Sequence, residues 1–373
     1  MHYLEKIRIK IFGIFEEIIP MQPIHTAQSV VYFNDEGYQA LRLLWTQKKY
    51  ASVFLLMDEN THQYCLAPFM ASLAWDKPME LIELPSGEQN KQLFFCQSVW
   101  EQLSELGADR KSLLINLGGG VITDMGGFIA SCYKRGIDFV NVPTTLLSMV
   151  DASVGGKTGV DLGMLKNQIG IIAEPSLVII DTQMLNTLDQ RQWRSGLAEM
   201  LKHGLIMDAS YWDQLKNIEN FSDLIPLIHH SVALKAAVTS EDPTEQSRRK
   251  ILNFGHTLGH AIESHFLEND PEDCLLHGEA IAVGMIMEAY LSTVYTGLSQ
   301  QEAKEIKATL RSAFGVIDFP DTILPHVFEI MQHDKKNSHG VVQFSLLTDI
   351  GKCTWNCPVD PQEVKNAFEF FKS

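Results

Sequence analysis

The sequence predicts an α/β N-terminal domain, Rossmann-like with a largely parallel sheet, followed by a mostly α-helical C-terminal domain. Three observations predict it. Short apolar runs alternate with helix-length segments through the first half. A strand-like run there passes through Gly118-Gly119-Gly120 directly into a helix start. From about Thr187 to Phe314 the strand runs vanish and helical periodicity takes over.

Composition sets the frame for these elements. The 373 residues carry 30 basic and 46 acidic side chains, a formal net charge of −16. Hydrophobic residues at 45% and charged residues at 20% exclude a disordered, collagen-like or coiled-coil chain. The acidic balance argues against a general nucleic-acid or anionic-membrane binder. It leaves room for an anionic small substrate held in a local basic pocket.

In chain order, residues 1–20 have basic residues and then a short apolar stretch, closed by Glu16 and Glu17. No small-residue cleavage site follows, which argues against a signal peptide. The segment reads as an N-terminal extension, with Met21 as the working start; the other reading is an amphipathic first helix. Strands are expected at Ser29–Phe33, Val53–Met57, Glu80–Leu84, Leu113–Leu117, Phe139–Val142 and Leu177–Ile180. Helices are expected between them, for example Glu88–Leu106 and Thr123–Cys132. The boundary falls near 182–187, giving domains 21–184 and 185–373. Helices at Leu224–Val238, His256–Phe266 and Glu279–Val294 follow, then a strand pair at Val341–Leu347 and Gly351–Trp355. A cleft between two such domains is a common ligand site.

The six cysteines are scattered, which suits reduced thiols in a cytoplasmic protein. No apolar run reaches the ~18 residues of a membrane span. The longest, Ala280 to Tyr290, is interrupted by Glu288.

Four motifs carry chemistry. The strand–glycine–helix junction at 113–127 would aim backbone N–H groups at a phosphate, although its spacing is not G-x-G-x-x-G. A tight packing turn would use the same glycines. Val154-Gly155-Gly156-Lys157-Thr158-Gly159 is like the end of a P-loop, but Asp151 occupies the position of its first glycine, so a P-loop is rejected. Lys157 remains an anion contact. His256 and His260 are i and i+4 on one helix face, without the glutamate of H-E-x-x-H. With His277, His203 and Glu199 they make a metal constellation whose ligand set spacing leaves open. Finally, Arg249, Asn253, His256 and His260 would share one stripe if their helix were continuous. A guanidinium, an amide and two imidazoles suit a polyhydroxylated anion; a solvated basic face is the bland alternative.

Together these stretches resemble the 3-dehydroquinate synthase family. The matching blocks are LGGGVITDMGGFIAS at 117–131, RGIDFVNVPTTLLSMVDASVGGKTGV at 135–160, LKNQIG at 165–170, GLAEMLKHGLI at 196–206, LNFGHTLGHAIES at 252–264, LLHGEAIAVGM at 275–285 and DKKN at 334–337. The resemblance runs from about Ser29 to the C-terminus, and the ordered set is far more specific than any block alone. It implies a dehydroquinate synthase-like fold and conversion of 3-deoxy-D-arabino-heptulosonate 7-phosphate to 3-dehydroquinate and phosphate. The implied course is transient NAD-dependent oxidation, phosphate elimination, reduction, ring opening and intramolecular aldol closure. The implied cofactors are NAD and one divalent ion, zinc or cobalt.

By motif position, the resemblance assigns Glu199, His256 and His277 as metal ligands. It makes His260 a substrate or proton-transfer contact and His203 structural. Asp58, Asn60, Glu88, Lys91, Gly119, Gly120, Val121, Asp124, Thr144, Thr145, Lys166, Asn167 and Thr187 are implied NAD contacts. Asp151, Lys157, Lys202, Lys235, Glu245, Arg249, Asn253 and Lys335 are implied substrate or catalytic residues, with Lys336 as the alternative to Lys335. Arg135 is implied to reach the phosphate in a neighbouring subunit, hence a homodimer. Neither nucleic acid nor membrane is an expected partner. Three other readings compete: another sugar-phosphate cyclase, a metal-dependent polyol dehydrogenase, and an NAD-binding regulator. The polyol enzyme needs no phosphate pocket or carboxylate clamp, and the regulator would have lost its metal ligands.

Overall fold

The computed structural model describes residues 21–163, 165–218, 220–269, 274–333 and 342–373. The segment 1–20, the pair Lys335 and Lys336, and Val341 therefore lie outside the described residues.

Strands β1 (Ile24–His25) and β2 (Val30–Phe33) lead into α1 (Asn34–Lys48). Next come β3 (Ser52–Asp58), α2 (Glu59–Tyr64), α3 (Leu66–Leu73) and β4 (Glu80–Leu84). A 3₁₀ turn (Glu88–Asn90) precedes α4 (Leu93–Glu105). Then follow β5 (Ser112–Gly118), α5 (Gly120–Cys132) and β6 (Asp138–Pro143). A π-helical turn (Ser148–Ala152) leads to a hairpin of β7 (Lys157–Leu162) and β8 (Leu165–Ile172), and β9 (Leu177–Ile180) rejoins the main sheet.

The main sheet has the order β1-β2-β9-β6-β5-β3-β4, and every pairing except β1 with β2 is parallel. All six strands expected from sequence fall in it. Alternate side chains serve two cores: Val53, Leu55 and Met57 face one, Phe54 and Leu56 the other. A sheet covered on both faces reads as unbroken apolar runs, which is why these strands were legible. The chain passes from β3 outward to β4, then crosses back to β5 and on to β6. The topological switch point thus lies at the carboxyl ends of β3 and β5, where open α/β sheets bind ligands.

The second half holds α6 (Gln190–Met207), α7 (Ala209–Leu215), α8 (Ile225–Glu241), a 3₁₀ segment (Arg248–Asn253), α9 (His256–Asn269) and α10 (His277–Tyr295). It ends with α11 (Gln300–Phe314), α12 (Leu324–His333), the hairpin β10 (Gln343–Asp349) and β11 (Lys352–Pro358), and α13 (Pro361–Lys372). α10 is apolar almost all round because it is the hub, packed against α6, α9, α11 and α13. One hydrophobic core runs without a break from β2, β3 and β9 through these helices to Phe371. Among the described residues no helix is long and apolar enough to cross a membrane.

Three expectations need correction. The helix expected over Glu88–Leu106 starts only at Leu93, because a 3₁₀ turn and an extended Gln92 come first. The β7–β8 hairpin was missed, since its exposed apolar residues Leu162, Leu165, Ile171 and Ile172 blur any alternation. Arg249 and His260 do not share a helix: the 3₁₀ segment ends at Asn253, Phe254 is extended, and Gly255 turns the chain at φ +79°.

Candidate active site

The crevice at the switch point is built first. β5 ends at Gly118, and Gly119 caps α5 in extended conformation with no side chain of its own to offer. Gly119 packs on the turn after β6: an added Cβ would lie 3.1 Å from Thr145 Cγ2, while Thr144 N–H donates to the Gly118 carbonyl at 3.0 Å. At the end of β3, Asp58 accepts from Thr61 N–H at 2.8 Å and starts α2, which carries the exposed Asn60. Val121 and Asp124 are half-buried on the first turns of α5, and Thr187 is exposed at the end of the 3₁₀ segment Thr182–Thr187.

The β7–β8 hairpin contributes Lys166 and Asn167. Buried Lys91 donates to Asp124 at 2.6 Å and to Asn167 Oδ1 at 2.7 Å. Burial would lower its pKa, but Asp124 and Glu88 outweigh that and hold it above the ordinary range. Lys166 pairs with Glu263 at 2.5 Å and Glu88 at 3.2 Å, with the same outcome. Asn167 N–H donates to Asp161 at 2.6 Å from a left-handed backbone. An interlocked charge network thus ties the crevice to α9.

Three helices bring the metal constellation together. α6 supplies Glu199, while α9 and α10 begin at His256 and His277. Glu199 Oε1 lies 3.5 Å from Nε2 of both His256 and His277. Two ligands of one tetrahedral zinc, with bonds of about 2.1 Å, lie about 3.4 Å apart. One nitrogen from each of His256, His260 and His277 also lies within 4.8 Å of the others, so His260 is gathered in as well. Glu199 is fully buried and neither oxygen receives a well-directed hydrogen bond. Burial opposes its charge, yet Lys202, ion-paired with it, keeps the carboxyl below its ordinary range. A buried carboxylate whose Oε1 faces two imidazoles while Lys202 sits at Oε2 fits a divalent cation on the Oε1 side.

The supporting contacts are specific. His256 Nδ1 donates to the Phe254 carbonyl at 3.2 Å, which leaves Nε2 as the lone-pair nitrogen toward Glu199. His277 Nδ1 faces Glu263 at 3.3 Å. Burial pushes His277 down, but Glu263 and Glu199 outweigh it and raise its pKa to about 9. Gly278 N–H donates to Ser195 Oγ at 3.0 Å, and an added Cβ there would sit 2.3 Å from the Ser195 backbone. Arg191 holds Glu279 through two 2.7 Å bonds, and Glu279 accepts from Leu276 N–H at 2.8 Å. His203 is buried and hydrogen-bonded to Ser231 at 2.7 Å; burial and Lys202 lower its pKa to about 3.

Beside the metal constellation lies a cluster of paired charges. The π-turn projects Asp151, whose carboxylate accepts from Lys235 at 2.6 Å. Burial would raise Asp151, but Lys235 and Lys202 hold it well below the ordinary range. The next turn needs Gly155 and Gly156 at φ +98° and +71°, and a Cβ on Gly155 would strike Thr239 at 2.6 Å. That turn offers the Gly155 carbonyl to Arg249 at 2.9 Å and releases Lys157 toward Glu245, with which it is ion-paired. Glu245 also accepts from Asn253 at 2.6 Å. Asp151, Glu199 and His203 converge as well, with Lys202 beside Glu199 and Lys235 beside Asp151. Arg135 stands exposed on the turn after α5, outside this set of pairs.

Arg135, Asn167 and Glu245 all hold positive φ angles, a strain that persists only where the surroundings impose it. Sequence reasoning missed several supporting residues. Glu263 did leave a signal, lying seven residues beyond His256 and so on its face. Asp242, which accepts from the N–H groups of Gln246, Ser247 and Arg249, left none.

Comparison with known proteins gives consistent matches. The family model for the 3-dehydroquinate synthase N-terminal domain matches residues 81–195, and that for the C-terminal domain matches 196–337. A 3-dehydroquinate synthase from Parabacteroides distasonis is 40% identical over 329 residues, 87% of this chain and 92% of the relative. One from Methylacidiphilum infernorum is 41% identical over 317 residues, 85% and 86% of the two chains. Among solved structures, a 2-epi-5-epi-valiolone synthase from Streptomyces hygroscopicus with NAD+ and Zn2+ bound superposes with a TM-score of 0.81 at 26% identity, covering 92% and 96%. A glycerol dehydrogenase from Schizosaccharomyces pombe shares the fold more distantly, with a TM-score of 0.59 at 16% identity over 93% and 89%.

Proposed function

The chain belongs to the 3-dehydroquinate synthase family, and from that premise we propose that it converts 3-deoxy-D-arabino-heptulosonate 7-phosphate to 3-dehydroquinate and phosphate. It is on this reading a carbon–oxygen lyase that uses NAD without net redox. The observation that carries the proposal is the 3.5 Å convergence of Glu199 on His256 and His277 beside the paired cations Lys157, Lys235 and Arg249. A polyol dehydrogenase needs the ion but not the anion clamp.

When bound, NAD supplies a reversible hydride acceptor and the divalent ion, zinc or cobalt, acidifies the substrate hydroxyls it ligates. Glu199, His256 and His277 would hold the ion. Asp58, Asn60, Glu88, Lys91, Gly119, Gly120, Val121, Asp124, Thr144, Thr145, Lys166, Asn167 and Thr187 would hold NAD, as their clustering around the switch point supports. Arg249, fixed against the Gly155 and Pro243 carbonyls, offers its guanidinium edge to the substrate carboxylate, with Lys235 and Asn253 beside it. Lys157 and Lys202 add positive charge, and Lys157 stabilises the departing phosphate. Asp151, Glu245 and His260 move protons. Lys335, or Lys336 in its place, contacts the substrate. Arg135, exposed on its strained turn, reaches the phosphate in the partner of a homodimer. The dinucleotide and metal domains divide at residue 184/185. Six free cysteines suit a cytoplasmic setting.

The test is anaerobic turnover of the heptulosonate phosphate with catalytic NAD. Phosphate should be released with no net NADH. Stoichiometric NADH without phosphate would overturn the lyase reading. A sister cyclase would instead prefer a sugar phosphate lacking the carboxylate, which a side-by-side product assay distinguishes.

A further inference from the structure

The mid-helix carboxylate of α10, Glu288, has no place in the chemistry above, yet it is fully buried. Its oxygens accept from Gly255 N–H at 2.7 Å and Leu258 N–H at 3.2 Å. Those are donors at the start of α9, where the first N–H groups of a helix lack partners within the helix. The residue before His256 is glycine, so α9 has no side chain of its own there to serve as a cap. α10 supplies it instead. One turn before Glu288, Gly284 presses so closely that an added Cβ would lie 2.0 Å from the Gly255 carbonyl, which brings Glu288 within reach.

The bonded peptide is the informative part. Gly255 N–H and the Phe254 carbonyl belong to one planar peptide unit. The N–H end is held by Glu288, and the carbonyl end receives Nδ1–H of His256 at 3.2 Å. Fixing one end of a rigid plane fixes the other. A charge on the N–H side also polarises the carbonyl and strengthens its hold on the imidazole. Glu288, one peptide and His256 thus form a relay that ends at Nε2, 3.5 Å from Glu199.

We propose that Glu288 is a positioning residue for the metal centre, acting through the Phe254–Gly255 peptide to set the ring plane and tautomer of His256. The inference rests on His256 being a metal ligand, as proposed above. Outer-shell partners of ligating histidines typically contribute about 10-fold to 100-fold in metal affinity.

The experiment uses the full chain stripped of metal, with Zn2+ affinity read by chelator competition and the Co2+ form by its visible absorption. Glu288→Gln keeps shape and removes charge, and Glu288→Ala removes both. Zn2+ binding at least fivefold weaker in Glu288→Gln, with displaced Co2+ bands, supports the relay; a smaller loss overturns it, whatever happens to Tm. Should Glu288→Ala fail to fold, the Gln variant still decides. His256→Ala separates the two levels. If it loses Zn2+ while Glu288→Gln does not, positioning alone fails. If it keeps Zn2+, the ligand assignment fails and this inference with it.

Discussion

Replacing Gly278 by alanine tests the metal site through backbone packing rather than through a ligand. The new Cβ would sit 2.3 Å from Cα and O of Ser195, backbone atoms that have no rotamer to escape into. Ordinary contact begins at 3.4 Å, so α6 and α10 must separate by 3.4 − 2.3 = 1.1 Å at this point. Glu199 lies one turn along α6, and His277 is the residue before Gly278. Carried to the site, the shift takes the 3.5 Å between Glu199 Oε1 and His277 Nε2 toward about 4.6 Å. Two ligands of one zinc cannot exceed about 4.2 Å, twice the bond length. One protein ligand should therefore be lost. We expect Zn2+ affinity in chelator competition to fall at least about 100-fold, with turnover lost at limiting metal. NAD binding should persist. Ser195→Ala, which removes the hydroxyl accepting Gly278 N–H without a steric push, should cost far less. A Gly278→Ala protein with parental zinc affinity would show that these helices do not set the ligand spacing.

Two further expectations concern the crevice and the Asp242–Arg249 loop. Lys91→Ala leaves the half-buried Asp124 without its lysine, so it should cost about 2 kcal/mol in denaturant unfolding, and Lys91→Met with Asp124→Asn should recover most of that; NAD affinity by fluorescence titration should fall in the single variant. Asp242 is opposed by burial, but its bonds from the N–H groups of Ser247, Gln246 and Arg249 win and depress its pKa. A depressed carboxyl stabilises fully above the ordinary aspartate range, and that stability is lost as pH falls through the range and on to the depressed value. Asp242→Asn should therefore flatten the acid limb of Tm against pH, lower stability at neutral pH by about 2 kcal/mol, and raise KM by loosening Arg249; an unchanged acid limb would exclude this role.

The parallel sheet was legible because burial on both faces turns its strands into apolar runs such as Leu113–Leu117. The helical half was legible from period, and α9 starts at His256 as its spacing suggests. What escaped was local geometry under tertiary control. Phe254 and Gly255 break the stripe of Arg249, Asn253, His256 and His260, so these residues divide between a 3₁₀ segment and the start of α9. The β7–β8 hairpin escaped because its apolar residues do not alternate, although the family resemblance names its Lys166 and Asn167. Glu288 looked like a mere interruption of an apolar run, because its partners are backbone N–H groups and backbone leaves no trace in sequence.

The pairing of Lys235 with Asp151 and of Lys157 with Glu245 has a consequence for timing. Asp151 is kept weakly basic by the Lys235 ammonium beside it. An arriving anion competes for that ammonium, and the acid it displaces becomes a stronger proton acceptor at the moment substrate is seated. On the proposed function, Asp151 would thereby be armed by occupancy: quiet toward water, and stronger only when there is something to deprotonate.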